Sequence, residues 1–351
     1  MKIGIVGLPN VGKSTLFNAL LRRQQALSAN YPFATIEPNI GVVDVIDNRL
    51  DHLSSLSRSK STVYANITFV DIAGIVKGAS EGLGLGNRFL ANIREVDLIL
   101  VVLRDFEDEN IIKEGSINPL SDFEVIMIEL ILKDLETINN QAMKIKKVNS
   151  SKEERLFEVV VAKIGETLNK SLPANKTLLN KEEAEIAKNF HLLTLKPILK
   201  IYNVSEQEIA DRAAEYVGEY DMAVSAKIES DISVLNKEDQ VVFLKELGLK
   251  ESPLNNIIRR SYDIVGYKTF FTTGEKESRA WKYIEGSSAL ECAGIIHTDF
   301  IKSFVKAEII KYDDFITYKS KLSCKENGRL RIEGKEYVVQ EGDIIEFRLN
   351  K

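Results

Sequence analysis

The sequence predicts an α/β fold that is interrupted by a helical hairpin and followed by a small β-rich domain. Three observations carry this prediction. An apolar strand pattern at residues 1–6 runs through a glycine turn into a helix, and an apolar heptad pattern begins near residue 121. Short β-type runs between Asn-Gly and Glu-Gly turns follow near the C-terminus. We therefore expect an α/β domain of residues 1–118 and 191–267, a hairpin of residues 119–190, and a C-terminal domain of residues 268–351.

Composition limits the class of protein. The chain has 351 residues, of which 44% are hydrophobic and 28% charged, a balance typical of globular proteins with more than one domain. No apolar run reaches the ~18 residues that span a bilayer, and the strand pattern at the N-terminus leaves no room for a leader. The net charge of −5 argues against nonspecific binding to nucleic acid. We expect a cytoplasmic protein with no membrane or DNA partner, monomeric by default.

The first glycine turn has the sequence GLPNVGKS at residues 7–14, a complete phosphate loop between a strand and a helix. In this context the backbone N–H groups point at a triphosphate. Lys13 would reach the β- and γ-phosphates, and the Ser14 hydroxyl would coordinate Mg²⁺. The sequence therefore predicts a P-loop nucleotide site, with contacts from Asn10, Val11, Gly12, Lys13, Ser14 and Thr15.

A second motif follows an alternating strand pattern that ends at Asp71. In P-loop proteins this carboxylate lies beside Mg²⁺, and the N–H of Gly74 faces the γ-phosphate. Residues 78–86 contain four glycines, which suits a loop that orders around the γ-phosphate. An inert surface loop is the alternative.

A first switch loop is predicted between these motifs. Residues 30–39 contain two prolines and an aromatic pair, so they form an irregular loop, in which Thr35 is best placed to complete the Mg²⁺ and γ-phosphate shell. An ordinary loop threonine is the alternative. We therefore expect Lys13, Thr35 and Gly74 to be catalytic and Ser14, Thr35 and Asp71 to bind the metal.

Base recognition is predicted after a later strand that ends at Asn203. GTPases carry Asn-Lys-x-Asp here, and the aspartate accepts hydrogen bonds from the guanine N1–H and 2-amino groups. Adenine has neither donor on that edge. This chain has Val204 and Glu206 in place of the lysine and aspartate, and the extra methylene of Glu206 makes guanine selectivity doubtful. The loop predicted to close over the base consists of Ser225, Ala226 and Lys227.

Together these motifs resemble the Obg-like ATPase (YchF) family, and the segments 271–281, 296–300 and 337–347 resemble its TGS domain. The resemblance covers nearly the whole chain. It implies a G-domain-like P-loop NTPase with a coiled-coil insertion and a ubiquitin-like TGS domain, ATP rather than GTP as substrate, and a link to ribosomes. The chain departs from the family near Leu83, where a glutamate is usual. The resemblance therefore supports the prediction of nucleotide binding more strongly than any prediction of the switching rate.

The sequence also predicts slow hydrolysis. Ile75 follows Gly74, where Ras-like enzymes carry a glutamine that orients the attacking water. The missing contact could come from K⁺, because Asn10 resembles the asparagine with which related proteins hold this ion. Arg88 or Arg104 acting in cis, or a group from a partner, are the alternatives.

The inserted segment predicts an antiparallel coiled-coil hairpin that opens with a capping box at residues 121–124. Its first apolar stripe comprises Ile128, Ile131, Leu135, Ile138, Ala142 and Ile145. The returning stripe comprises Phe157, Val161, Ile164, Leu168 and Leu172.

The predicted hairpin tip is basic, with Lys144, Lys146, Lys147, Lys152 and Arg155. Such a cluster is either a solvated turn or a surface that contacts RNA phosphates. Charge in the C-terminal domain is nearly balanced, so the idea of a ribosomal partner comes from the resemblance. Three functions stay open: a slow ribosome-associated ATPase switch, a GTPase translation factor, and a nucleotide-sensing adaptor with incidental hydrolysis.

Overall fold

A computed structural model of the chain describes residues 1–27, 39–72, 93–107, 118–144, 151–216, 218, 220–249 and 251–350. The chain forms two compact units. The first, the P-loop unit, comprises Met1–Val43 and Thr68–Ile257; the second unit comprises Asp44–Ile67 and Ile258–Lys351. Across the described ranges, no helix is both long and apolar enough to cross a bilayer.

The P-loop unit is built on a six-stranded sheet with the order β2-β4-β1-β5-β6-β7. Strands β1, β4, β5, β6 and β7 pair in parallel. The central strand reads LILVVLRD, a nearly continuous apolar run of the kind that fills a strand buried on both faces. The strands are β1 (Lys2–Val6), β2 (Ile40–Val45), β4 (Ala65–Asp71), β5 (Leu98–Asp105), β6 (Ile198–Val204) and β7 (Asp221–Val224).

Helices follow most of these strands. The helices of this part of the chain are α1 (Lys13–Leu27), α3 (Pro119–Met143), α4 (Lys152–Asn169), α5 (Lys181–Lys188), α6 (Ile209–Glu215), α7 (Ala226–Ile232), α8 (Lys237–Glu246) and α9 (Pro253–Ile264), with a 3₁₀ turn at Ala174–Lys176. Helix α9 continues into the second unit.

The hairpin helices α3 and α4 pack against each other, but α3 begins earlier than predicted. Asn118 is its N-cap and accepts hydrogen bonds from the N–H groups of Leu120 (3.0 Å) and Ser121 (3.2 Å). Pro119 suits the first helical position, where no N–H partner is needed. The predicted capping box at residues 121–124 therefore lies within the first turn.

The buried stripe of α3 also differs from the predicted one. Ile131 and Ile138 are buried as expected, whereas Ile128 is 52% exposed. Ile126 and Leu130 are buried instead, because the first half of α3 packs against the α/β core rather than against α4. The exposed residues also include Ala142 and Leu172, and Ile145 lies outside the described residues.

A buried carboxylate fixes α3 to the segment before β6. Asp134 accepts hydrogen bonds from the N–H groups of Leu193 and Thr194, both at 2.7 Å, and from the Thr194 hydroxyl at 2.6 Å. Burial raises the pKa of Asp134, and the hydrogen bonds from Thr194 oppose this shift.

The second unit has its own six-stranded sheet, with the order β11-β10-β12-β8-β9-β3. Its strands are β3 (Thr62–Val63), β8 (Tyr267–Thr272), β9 (Ser278–Ile284), β10 (Phe304–Lys311), β11 (Arg331–Glu333) and β12 (Asp343–Leu349). Its helices are α2 (Asn48–Ser57), α10 (Ala289–Ile296), α11 (Thr298–Ser303), α12 (Tyr312–Tyr318) and α13 (Lys321–Glu326).

The boundary of this unit differs from the predicted one at residue 268, because α2 and β3 belong to it as well. Leu50 and Leu53 of α2 are fully buried in one cluster with Phe271 and Ile310. Strand β3 pairs in parallel with β9. Residues 44–67 therefore supply a helix and an edge strand to the C-terminal fold.

Candidate functional site

A candidate site lies in the P-loop unit, in a cleft of about 870 Å³. It opens at the carboxyl ends of β1, β5, β6 and β7, the edge at which ligands bind in open parallel sheets. Its lining residues are Leu8, Pro9, Asn10, Val11, Gly12, Lys13, Ser14, Thr15, Phe106, Glu107, Asn203, Val204, Ser205, Glu206, Gln207, Ser225, Ala226 and Lys227. The structure thus brings together all predicted nucleotide contacts of the phosphate loop and the two base loops.

The backbone of the phosphate loop is left-handed at two positions. Asn10 has φ 62° and Gly12 has φ 91°. A Cβ atom at Gly12 would lie 2.2 Å from Nδ2 of Asn203, so glycine is required there both by its backbone and by its neighbour.

Lys13 and Asp71 form an ion pair between the amino end of α1 and the end of β4. Their side chains are only 13% and 12% exposed. The parallel pairing of β1 with β4 puts Asp71 opposite Ile5, which explains why residues so distant in sequence meet. The carboxylate predicted to face a metal ion here contacts the lysine predicted to face phosphate.

Asn203 connects the phosphate loop to the loop before α7. Its Nδ2 donates to the carbonyl oxygen of Val11 at 2.9 Å, and its Oδ1 accepts from the N–H of Ala226 at 2.9 Å. The side chain is 5% exposed. Asn203 therefore holds three segments of the cleft in register.

The acid of the predicted base loop is also paired. Nζ of Lys227 lies 3.1 Å from Oε2 of Glu206. Val204 and Ser225 also line the cleft and are buried, each 2% exposed.

Phe106 and Glu107 line the cleft although the sequence analysis did not identify them. They directly follow β5, the strand beside β6. This position, at the same edge of the sheet as the base loops, is the sequence feature that could have identified them. Arg104 holds Phe106 in place: its Nε donates to the Phe106 carbonyl oxygen at 3.2 Å, and its guanidinium lies 4.6 Å from the ring centroid. Arg104 is 1% exposed, so the structure does not favour it as a group that reaches phosphate.

Several predicted residues lie outside the described part of the chain. They are Thr35, Gly74, Ile75, Leu83, Arg88, Lys146 and Lys147.

The oxygen donors at the phosphate end suit Mg²⁺, because this ion prefers hydroxyl, carboxylate, phosphate and water oxygens. Ser14 supplies a hydroxyl and Asp71 a carboxylate. Within the described ranges, no group of three or more His, Cys, Asp or Glu side chains is arranged to hold a metal ion. An ion at Ser14 and Asp71 would therefore need further oxygen ligands from phosphate, water and the predicted ligand Thr35.

The second unit contains a smaller cleft of about 340 Å³ with a different character. Its lining residue Glu308 accepts from Nζ of Lys321, also in the lining, at 2.6 Å. Glu308 also accepts from Nε and Nη2 of Arg348, outside the lining, at 3.1 and 3.0 Å. These partners lower the pKa of Glu308 to about 2. The arrangement is that of a structural network.

Comparisons with known proteins give a consistent result over the whole length. Residues 2–163 match the family model of the 50S ribosome-binding GTPases, and residues 267–350 match a model for the C-terminal domain of YchF-type GTPases, described as a protein of unknown function. The chain is 47% identical to the ribosome-binding ATPase YchF of Bacillus subtilis, covering 99% of this chain and 98% of the relative. It is 44% identical to the Escherichia coli O157:H7 protein of the same name, covering 99% of both chains.

A solved structure supports the same relationship. The YchF GTPase of Schizosaccharomyces pombe superposes with a TM-score of 0.88 at 36% identity and covers 99% of this chain and 97% of its own. The bacterial relatives are named ATPases and the yeast structure a GTPase, so the preferred base must be argued from the residues of the cleft.

Proposed function

The chain belongs to the YchF family, and from this premise we propose that it is a slow, Mg²⁺-dependent ATPase that acts as a ribosome-associated switch. The observation that carries the proposal is the cleft in which the phosphate loop, Asp71, Asn203 and the Glu206 loop converge. We place the protein in the cytoplasm as a monomer.

Lys13 and the loop N–H groups bind the phosphates in this proposal. On nucleotide binding, Lys13 exchanges the Asp71 carboxylate for the β- and γ-phosphate oxygens, which frees Asp71 to face the metal ion. Ser14, Asp71 and Thr35 would hold Mg²⁺. When bound, this ion neutralises charge that develops on the phosphate oxygens.

Hydrolysis is slow because the chain has no polar side chain at residue 75 to orient the attacking water. The chain contributes positioning and electrostatic stabilisation through Lys13, Thr35 and the Gly74 N–H. We propose K⁺, held with the help of Asn10, as the additional charge. Turnover measured in K⁺ and then in Na⁺ at equal ionic strength tests this point, and equal rates contradict it.

A GTPase of the same fold is the second candidate, and the observation in its favour is that the similar S. pombe protein is named a GTPase. Titration calorimetry with ATP and GTP, each with Mg²⁺, separates the two. We expect at least a tenfold preference for ATP, about 1.4 kcal/mol. Equal or tighter binding of GTP would reassign the chain as a GTPase.

The ribosome is the proposed partner, since relatives across the whole length are named ribosome-binding. Lys144, Lys152 and Arg155 are exposed near the ends of α3 and α4, and with Lys146 and Lys147 they would contact RNA phosphates. The C-terminal domain is the second proposed contact.

Ribosome binding is tested by cosedimentation and by ATP turnover with and without ribosomes. Replacing Lys152 and Arg155 with glutamate should weaken binding, whereas the same change at Lys181 and Lys188 of α5 is the matched control for charge. If ribosomes neither bind the protein nor change its turnover, the nucleotide-sensing adaptor becomes the better description.

A further inference from the structure

Two oppositely charged side chains meet at the Asn203 end of the cleft. Lys227, in the first turn of α7, and Glu206, in the turn after β6, both line the cleft. Their Nζ and Oε2 atoms are 3.1 Å apart. Glu206 is the more protected partner, with 33% of its side chain exposed against 72% for Lys227. The ammonium group of Lys227 is therefore bound to a carboxylate, that of Glu206, which lines the nucleotide cleft.

This pairing matters because the two purine bases differ on one edge. Guanine presents two donors, N1–H and the 2-amino group, and a free carboxylate accepts both. Adenine presents an acceptor at N1 and has no 2-amino group. A carboxylate already paired with an ammonium group is less available to accept hydrogen bonds from guanine. Adenine has no donor on this edge, so its binding does not depend on the carboxylate.

Asn203 is already engaged in contacts within the protein. Its Nδ2 is hydrogen-bonded to Val11 and its Oδ1 to Ala226, so it connects protein segments. The N–H of Ala226 is likewise already donated to Asn203 and does not await a base oxygen. The Glu206–Lys227 pair is thus the charged contact of the two base loops that a guanine edge would disturb.

We propose that Lys227 is a specificity-determining residue that biases the cleft against guanine by holding the Glu206 carboxylate. The inference rests on the proposed ATPase function and adds a residue to it. Guanine competes with the ammonium group for the carboxylate oxygens, while adenine leaves the pair intact. An ion pair this exposed changes an equilibrium constant by no more than about fivefold, which sets the size of the effect.

The test is a calorimetric double-mutant cycle with Mg²⁺-ATP and Mg²⁺-GTP on the full chain. It compares the unmodified protein with Lys227→Met, Glu206→Gln and the double variant, because methionine keeps the apolar stem and removes the charge. Lys227→Met should lower the ratio of the GTP to the ATP dissociation constant about three- to fivefold. In the Glu206→Gln background the same change should leave the ratio as it is.

Inosine triphosphate sharpens the result because it keeps N1–H and lacks the 2-amino group. Lys227→Met should improve the affinity for inosine triphosphate less than it improves the affinity for GTP. Lys170→Met is the matched control: Lys170 pairs with Glu166 at 2.7 Å on an exposed helix surface away from the cleft, and its loss should leave the ratio unchanged.

The outcomes separate this inference from the function on which it rests. If the unmodified protein binds ATP no better than Lys13→Ala does, both are overturned. If it binds ATP selectively and Lys227→Met leaves the ratio unchanged, or changes it equally in the Glu206→Gln background, only the role of Lys227 is overturned.

Discussion

Ion pairs occur in both units of the molecule, but their surroundings differ. In the P-loop unit, Lys13 and the Lys227–Glu206 pair line the cleft, and Asp71 contacts Lys13; we propose that a ligand replaces one partner of each pair. In the second unit, the register of β10 and β12 sets Glu308 opposite Glu346, and Lys321 and Arg348 bridge these like charges. The same interaction therefore permits exchange in the cleft and holds strands together in the sheet.

Lys13→Ala should have the largest effect on nucleotide binding. We expect ATP affinity and turnover to fall by at least about 100-fold, because Lys13 is the predicted phosphate contact. The free energy of unfolding should also fall, by about 3–5 kcal/mol, because the change leaves the largely buried Asp71 carboxylate without its cation. Calorimetry and urea denaturation measure the two quantities, and unchanged ATPase activity would overturn the site assignment.

Gly12→Ala tests the cleft without removing a charge. The added Cβ would meet Asn203 Nδ2 at 2.2 Å on a backbone with φ +91°, so Asn203 must leave its contacts. We expect ATP affinity to fall at least about tenfold, or 1.4 kcal/mol.

Gly248→Ala is the control for backbone strain alone. Gly248 also has a positive φ, +70°, but its Cβ would meet nothing within 4 Å. This variant should lose about 1 to 2 kcal/mol of stability and keep its ATP affinity. Equal loss of affinity in both variants would contradict the steric explanation.

Arg348→Met should affect stability alone, unlike Lys13→Ala. It removes the bidentate partner of Glu308 and leaves Lys321 as the remaining cation. We expect a small decrease in the free energy of unfolding, because the exposure of Arg348 to solvent weakens its pair with Glu308. ATP affinity should stay constant. Lys335→Met, which removes a looser exposed pair with Glu336, is the control.

The smallest expected effect is on the free energy of unfolding at acid pH. The pKa of Glu308 is lowered from 4.5 to about 2 by its hydrogen bonds to Arg348 and Lys321. A lowered acid pKa stabilises the fold above pH 4.5, and that contribution disappears as the pH falls from about 4.5 to about 2. Urea denaturation across this range should show a shallower pH dependence in Glu308→Gln than in the unmodified protein, by about 1 kcal/mol. Identical slopes would contradict the role of Glu308.

Sequence reasoning succeeded where the signal is local. The glycine turn at residues 7–14 and the helix after it are determined by adjacent residues, and the parallel sheet follows from buried strands alternating with helices. The same reasoning correctly predicted the family and its fold.

It failed where distant segments decide the outcome. The stripe of α3 shifts toward Ile126 and Leu130 because the helix faces the α/β core, which its own periodicity does not reveal. The pairing of β3 with β9 joins segments remote in sequence. Phe106 carries no motif and is recognised only when β5 is seen beside β6. The roles of Thr35 and Gly74 stay predictions.

The contribution of residues 44–67 to the second unit has a consequence for biosynthesis. Ser57 and its hydrogen-bond partner Thr273 are 216 residues apart in the chain. At about 5–20 residues per second, Phe271 and Ile310 are synthesised roughly 10–50 s after the apolar face of α2. A nascent chain must keep Leu50 and Leu53 from aggregating during that interval. For the same reason, a chain shortened at residue 267 would leave this helix permanently without its core.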